Sequence, residues 1–207
     1  METKTRIITI SRQFGGGGRG IGMALADRLE LPFYDKDLLA ELAKKSGLSD
    51  LFSQGYGESS VGSLLYSLAM NVHTPYFGGR PAELMAYEAQ VAAVRNAAEK
   101  GPCVIVGRGA DFILRGEYDV VSLFITSALS YRVGRVMQKE GLSASEAAQK
   151  IERMDKGRAS FYNNLSDKRW GDASAYNLCI DSGSLREEDA VSLIADYITY
   201  RDMADRV

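Results

Sequence analysis

Residues 15–18 are four consecutive glycines, with Arg12 before them and Arg19, Gly20 and Gly22 after them. Glycine lets a backbone turn tightly, take positive φ and approach another group closely. A glycine turn that feeds a helix aims peptide N–H groups, and the positive end of the helix dipole, at one point. That arrangement suits an anion, most often a phosphate. A purely structural turn is the plainer reading, but ordering four glycines costs chain entropy that a simple turn does not require. A second set of residues speaks to the same chemistry. Arg108 follows the run CVIVG, Arg132 and Arg135 lie one turn apart in SYRVGRVM, and Arg153, Asp155 and Arg158 fall in IERMDKGRAS. Guanidinium groups give planar, paired donors to phosphate oxygens, so a ligand with several phosphates calls for several arginines. The competing reading is a set of solvated helix charges with local ion pairs.

The elements that must position these residues follow from hydrophobic pattern. Arg6–Ser11 (RIITIS) is a short apolar run rich in β-branched residues and predicts a buried strand that delivers the glycine loop. Met23–Leu29 continues as helix. Phe33–Asp35 predicts a short second strand, and 35–45 a second helix. Pro81–Lys100 carries proline at its start and Gly101 just past its end, the punctuation of a long helix. Cys103–Val106 and Val120–Ile125 predict strands, each followed by helix. Ser143 with Glu146 reads as a capping box opening a helix to about 163. Asn177–Asp181 predicts the last strand and Leu185–Tyr200 the closing helix. Strands alternating with helices call for a parallel sheet of about five strands covered on both faces, a three-layer α/β domain. Residues 47–80, rich in Gly, Ser and Tyr with a helix expected over 61–72, and residues 140–172 read as excursions from one core.

Composition narrows the chemistry. The chain has 207 residues, 45% of them hydrophobic, with 25 Lys plus Arg against 27 Asp plus Glu. A net charge of −2 does not suggest a broadly basic nucleic-acid surface. No apolar run is long enough for a membrane span. The first residues lead straight into a strand, which leaves no room for a signal peptide, so a cytoplasmic location is expected. His73 is the one histidine, which argues against a Ser-His-Asp or Cys-His nucleophile. Cys103 and Cys179 lie in apolar runs without metal-ligand spacing and are expected to be buried thiols.

Two nucleotide readings of the loop compete. Gly15, Gly17 and Gly20 satisfy G-x-G-x-x-G, Gly16, Gly20 and Gly22 satisfy the G-x-x-x-G-x-G spacing that resembles short-chain dehydrogenases, and Asp35 after the second strand suits a ribose hydroxyl, as in dinucleotide-binding reductases. Against this, no tyrosine is followed four residues later by lysine, and the helical stretch over 60–100 breaks the regular alternation. The other reading is a modified P-loop. Set against G-x-x-x-x-G-K-[ST], Arg12 takes the first Gly, Gly17 the second, Gly18 the Lys and Arg19 the hydroxyl residue. Backbone N–H groups still cradle phosphate, and Arg12 or Arg19 must supply the positive charge.

The strings ITISRQFGGGGRGIG, LPFYDKDLL, GPCVIVGRGADFIL, SALSYRVGRVM and IERMDKGRASFYNNLSDKRWGDASAYNLCIDS together resemble the cytidylate kinase-like family, relatives of bacterial cytidylate kinase among the P-loop nucleoside monophosphate kinases. The resemblance covers about residues 6–200. It implies a P-loop kinase core with a helical monophosphate-binding insert (about 47–80) and a lid (about 140–172), acting on ATP with Mg²⁺ and passing the γ-phosphoryl group to CMP or dCMP. ATP is then expected on Arg12, Gly15, Gly16, Gly17, Gly18, Arg19 and Gly20. Asp35 matches an acidic residue near the acceptor. Arg108 matches the Arg of a G-R-D segment whose Asp is Gly109 here, with Asp111 as its substitute. Arg132 and Arg135 match an R-x-x-R helix, and Asp155 and Arg158 a lid D-x-x-R. Ile151 stands where a lid arginine is expected, with Arg153 to cover for it, and Glu41 stands where an acceptor-side arginine would be. Arg19, Arg132, Asp155 and Arg158 form the expected catalytic set, and Asp35, Arg108, Asp111, Arg135 and Arg153 the acceptor set. The metal ligands are not assigned. Partners are expected to be small nucleotides, not nucleic acid or membrane. A nucleotide-binding protein without transfer activity is the alternative. Trp170 reads as a lid turn that caps a base or as a packing anchor for the last strand. Phe161 and Tyr162 read as core packing before ligand contacts, and Tyr56, Tyr76 and Phe77 as residues of the loop-like segment, with contact to a base the lesser reading.

Overall fold

The computed structural model describes residues 6–45, 76–77 and 80–204. Strand β1 (Arg6–Arg12) lies at the centre of a five-stranded parallel sheet. Its neighbours are β5 (Cys103–Val106) and β6 (Asp119–Thr126), in registers that set Ile10 beside Val106 and Leu123. Strand β2 (Phe33–Tyr34) pairs with β5, and β7 (Leu178–Asp181) with β6, giving the order β2-β5-β1-β6-β7. A short antiparallel pair, β3 (Tyr76–Phe77) and β4 (Arg80–Pro81), stands apart from it.

The three-layer expectation holds. Successive side chains of a strand face opposite ways, and both faces of β1 are buried, one through Ile8 and Ile10 and the other through Ile7 with Thr9 and Ser11. Ile8 and Ile10, with Val106, Leu123 and Ile125, pack on Ile21 and Leu25 of α1 (Gly18–Arg28) and Ile194 of α7 (Glu187–Ala204). Ile7, Cys103 and Ile105 face Val94 and Ala97 of α3 (Ala82–Glu99) and Leu39 of α2 (Lys36–Lys45). The sheet order excludes the dinucleotide-reductase alternative, because a Rossmann sheet places its second strand directly beside the first, whereas β5 lies between β1 and β2 here.

Several boundaries move. Helix α1 starts five residues earlier than its apolar pattern indicates, at Gly18, so the last glycines are helical. Gly22 shows why: a Cβ there would lie 2.8 Å from Val106 Cγ2 and 3.0 Å from Ile10 Cδ1, so the residue lets helix and sheet close up. After β5, α4 is a single turn (Ala110–Ile113). Helices α5 (Leu129–Glu140) and α6 (Ala144–Leu165) pack together through Val136, Ala147 and Ile151, with Phe14 of the glycine loop at their edge. Ser143 and Glu146 form the expected capping box. The buried-thiol expectation holds for Cys103 and fails for Cys179, which is exposed. β7 is an edge strand, and the side chain of Cys179 alternates outward next to the buried Ile180. The helix expected over 61–72, together with Tyr56 and His73, lies outside the described residues.

Candidate functional site

Strand β1 ends at Arg12 and hands the chain to a turn that enters α1 at Gly18, with Gly15 at φ 80° and Gly17 at φ 78° in the left-handed region. The turn is tied down from three directions. Ser182, just past β7, donates from Oγ to the Gly16 carbonyl at 2.6 Å. Gln13 Oε1 accepts from Thr126 Oγ1 at 2.7 Å and from the Ser127 N–H at 3.0 Å. The Phe14 peptide is gripped at both ends: its N–H donates to Asp155 Oδ1 at 2.7 Å, and its carbonyl accepts from Arg132 Nη1 at 3.2 Å. Arg132 Nη1 also donates to Asp155 Oδ2 at 2.5 Å, and Arg132 Nε to the Ser127 carbonyl at 3.0 Å. Both side chains of this ion pair are largely buried, at 8% and 16% exposure.

The turn opens into a cleft of about 730 Å³ bordered by Arg12, Arg19, Lys36, Arg135 and Arg158. Helix α5 brings Arg135 over the turn, where a Cβ on Gly17 would sit 3.4 Å from its Nη2. Arg19 turns the other way. Its Nε donates to Asp35 Oδ2 at 2.7 Å, linking α1 to α2. Asp35 Oδ1 also accepts the N–H groups of Asp37 and Leu38, both at 3.1 Å, and so caps α2. Burial pushes the Asp35 carboxyl up, but the Leu38 N–H, the Arg19 hydrogen bond and charge, and the Asp37 N–H together outweigh it and hold the carboxyl below its ordinary value.

A smaller pocket adjoins the cleft and is lined by Arg12, Arg108, Arg158, Phe161, Tyr162 and Trp170. Arg12 and Arg158 border both spaces. Arg12 extends away from the glycines toward Gly107, where a Cβ would overlap its Nη1. Arg158 Nη1 donates to the Arg12 carbonyl at 3.0 Å. Arg108 holds φ 63°, an uncommon backbone state for a side-chain-bearing residue. The buried Gln90 of α3 braces it, accepting from Arg108 Nη1 at 2.9 Å and donating to the Arg108 carbonyl at 3.3 Å.

The residues singled out in the sequence therefore fall into different groups. Arg12, Arg108 and Arg158 come together at the small pocket, and Arg135 faces the glycine turn instead of joining Arg108. Arg132 and Asp155 face each other and the loop backbone. Asp111 lies apart from the cleft, buried, accepting from the Tyr162 hydroxyl at 2.6 Å. Burial raises its pKa, against the opposing pull of that hydrogen bond. Arg153 is exposed on α6 and borders neither space. Ile151, at the expected lid-arginine position, is buried in the α5–α6 contact. Trp170 packs edge-on against Phe124 at 5.2 Å while lining the small pocket. Pattern reading missed Gln90 and Ser182, because one is a polar residue on an apolar helix face and the other a lone serine after a strand.

Position 19 does not provide the metal-binding hydroxyl of the P-loop pattern, and its Arg pairs with Asp35, which accepts two further backbone hydrogen bonds. Among the described residues no group of three or more His, Cys, Asp or Glu gathers to hold a metal. These residues do not fit a protein-held magnesium site. Among them, too, no helix is long and apolar enough to cross a membrane.

The model of the cytidylate kinase-like family matches residues 7–184. Cytidylate kinase of Methanopyrus kandleri is 29% identical over 108 residues, which is 48% of this chain and 56% of that protein. The chain thus spans little more than half the length of that relative. Cytidylate kinase of Pyrobaculum aerophilum is 24% identical over 194 residues, covering 92% of this chain and 91% of the relative. Among solved structures, an uncharacterized protein from Eubacterium ventriosum superposes with a TM-score of 0.70 at 29% identity, over 93% of this chain and 98% of that one. Shikimate kinase from Bacteroides thetaiotaomicron superposes at 0.55 with 17% identity, over 95% and 99%, a likeness of fold.

Proposed function

This chain belongs to the cytidylate kinase-like family, and from that premise we propose that it transfers the γ-phosphoryl group of ATP to CMP or dCMP. The observation that carries this is the glycine turn after β1, which opens into a cleft lined by Arg12, Arg19, Arg135 and Arg158, with Asp35, Asp37 and Glu140 also on its wall, and adjoins a second arginine-lined pocket. In this reading the turn holds the ATP phosphates through peptide N–H groups, with Arg135 above them. The small pocket, with Arg108 and an aromatic wall, takes the acceptor's phosphate. An acceptor phosphate oxygen attacks the γ-phosphorus and forms a new P–O bond. The bond from that phosphorus to the β,γ-bridging oxygen breaks, and its electron pair leaves on ADP. The acceptor phosphate is largely dianionic at neutral pH, so no base is required, and the protein contributes positioning and charge neutralisation. Magnesium in this reading travels on the nucleotide, and no side chain is assigned to it.

A coupled ADP-release assay with ATP and each common NMP and dNMP tests the reading. CMP and dCMP are expected to turn over fastest. Saturable ATP binding with no turnover on any acceptor would favour a nucleotide-binding protein without transfer, the reading that Gly18 in place of lysine supports.

A further inference from the structure

The loop departs from G-x-x-x-x-G-K-[ST] at three positions: Arg19 stands for the hydroxyl residue, and, of most consequence here, the first glycine is Arg12 and the lysine is Gly18. In three dimensions these two positions touch. A Cβ built on Gly18 would lie 2.6 Å from Arg12 Cβ, 3.0 Å from Arg12 Cγ and 3.3 Å from Ile125 Cβ. The obstacle is the root of the arginine side chain, which cannot swing away, and behind it stands the central sheet. Any side chain at 18 is therefore excluded while Arg12 is present. With glycine at 12, as in the ordinary pattern, the two nearest obstacles are gone and Ile125 Cβ at 3.3 Å is the close contact that stays. The Gly–Lys pair and the Arg–Gly pair are two ways of filling one volume.

The far end of Arg12 completes the inference. Its guanidinium reaches over Gly107, a residue at φ 84°, and it borders both the cleft in front of the glycine turn and the pocket beside Arg108. We propose that Arg12 is the cation on the phosphoryl group in transit, replacing the absent loop lysine, and that Arg12 and Gly18 form one interdependent pair. This rests on the kinase reading above. Arg12 meets the charge that builds on the equatorial oxygens as the bond to ADP breaks and the bond to the acceptor forms. It exchanges no proton and forms no bond. Arg19, the other cation of the loop, is turned to Asp35, and Arg158, which also borders both spaces, donates to the Arg12 carbonyl.

A swap experiment tests the proposal with wild type, Arg12→Gly, Gly18→Lys and the double variant, using AMP-PNP affinity by calorimetry, turnover of ATP with CMP, and thermal melting. Arg12→Gly is expected to melt near wild type and to lose turnover by about 10²-fold or more, the scale of removing one group that stabilises transition-state charge. Gly18→Lys is expected to melt well below wild type. In the double variant the lysine is expected to restore melting to the Arg12→Gly value and to regain part of the lost turnover and affinity. If Gly18→Lys destabilises equally in both backgrounds, the shared volume is refuted. AMP-PNP binding and turnover that survive Arg12→Gly within twofold would overturn the assignment of Arg12 alone. Wild-type protein that neither binds AMP-PNP nor turns over ATP would remove the kinase reading and this assignment together.

Discussion

Asp111 illustrates how far one residue's position in the chain differs from its position in the molecule. Two residues beyond Gly109, it reads as a substitute for a missing acceptor-side acid, yet it is buried against Tyr162 behind the cleft. Its carboxyl is raised from the ordinary value by burial. The native state therefore holds a proton that the unfolded chain releases as pH rises past about 4, and stability falls from there until the native group also ionises. Asp111→Asn keeps an acceptor for the Tyr162 hydroxyl and removes the buried charge. Its melting point is expected to match wild type in acid and to exceed it increasingly toward neutral pH, by about 2–4 °C for each kcal/mol gained. Melting curves across pH 3–8 check this, and a variant that is less stable at neutral pH would refute it. The direction of Arg12 was equally illegible. Its guanidinium lies over Gly107, ninety-five positions away, and no local pattern reports that.

At the level of elements, the apolar runs of β1, β5 and β6 and the cap at Ser143 were readable because each is a local signal. Helix α1 was misjudged at its start because glycines carry no apolar period. The tie between α6 and the glycine turn was not readable, since it joins Phe14 to Asp155 directly and Arg132 of α5 to both. That tie makes α6 more than a cover. Asp155→Ala leaves the Arg132 guanidinium buried without its carboxylate and is expected to cost about 3–5 kcal/mol in urea unfolding. Asp155→Asn keeps an acceptor for the Phe14 N–H and is expected to cost less. Equal, small losses in both variants would show that the pair contributes little.

For the whole molecule, alternation of strand and helix was enough for three layers, but strand order was not in the pattern, and order is what separates this sheet from a dinucleotide-binding one. Parallel strands all end on one side, so the loops after β1, β5, β6 and β7 converge there. Those loops carry the glycine turn, Arg108, Ser127 and Ser182, residues that lie far apart in the chain. Trp170 sits at the same end, against Phe124 and beside Arg12, Arg108 and Arg158, and it is the chain's sole tryptophan. The protein consequently carries a built-in optical reporter of that pocket. Excited at the indole band, its emission is expected to change as CMP is titrated in, and to stay flat under the same titration in Arg108→Ala.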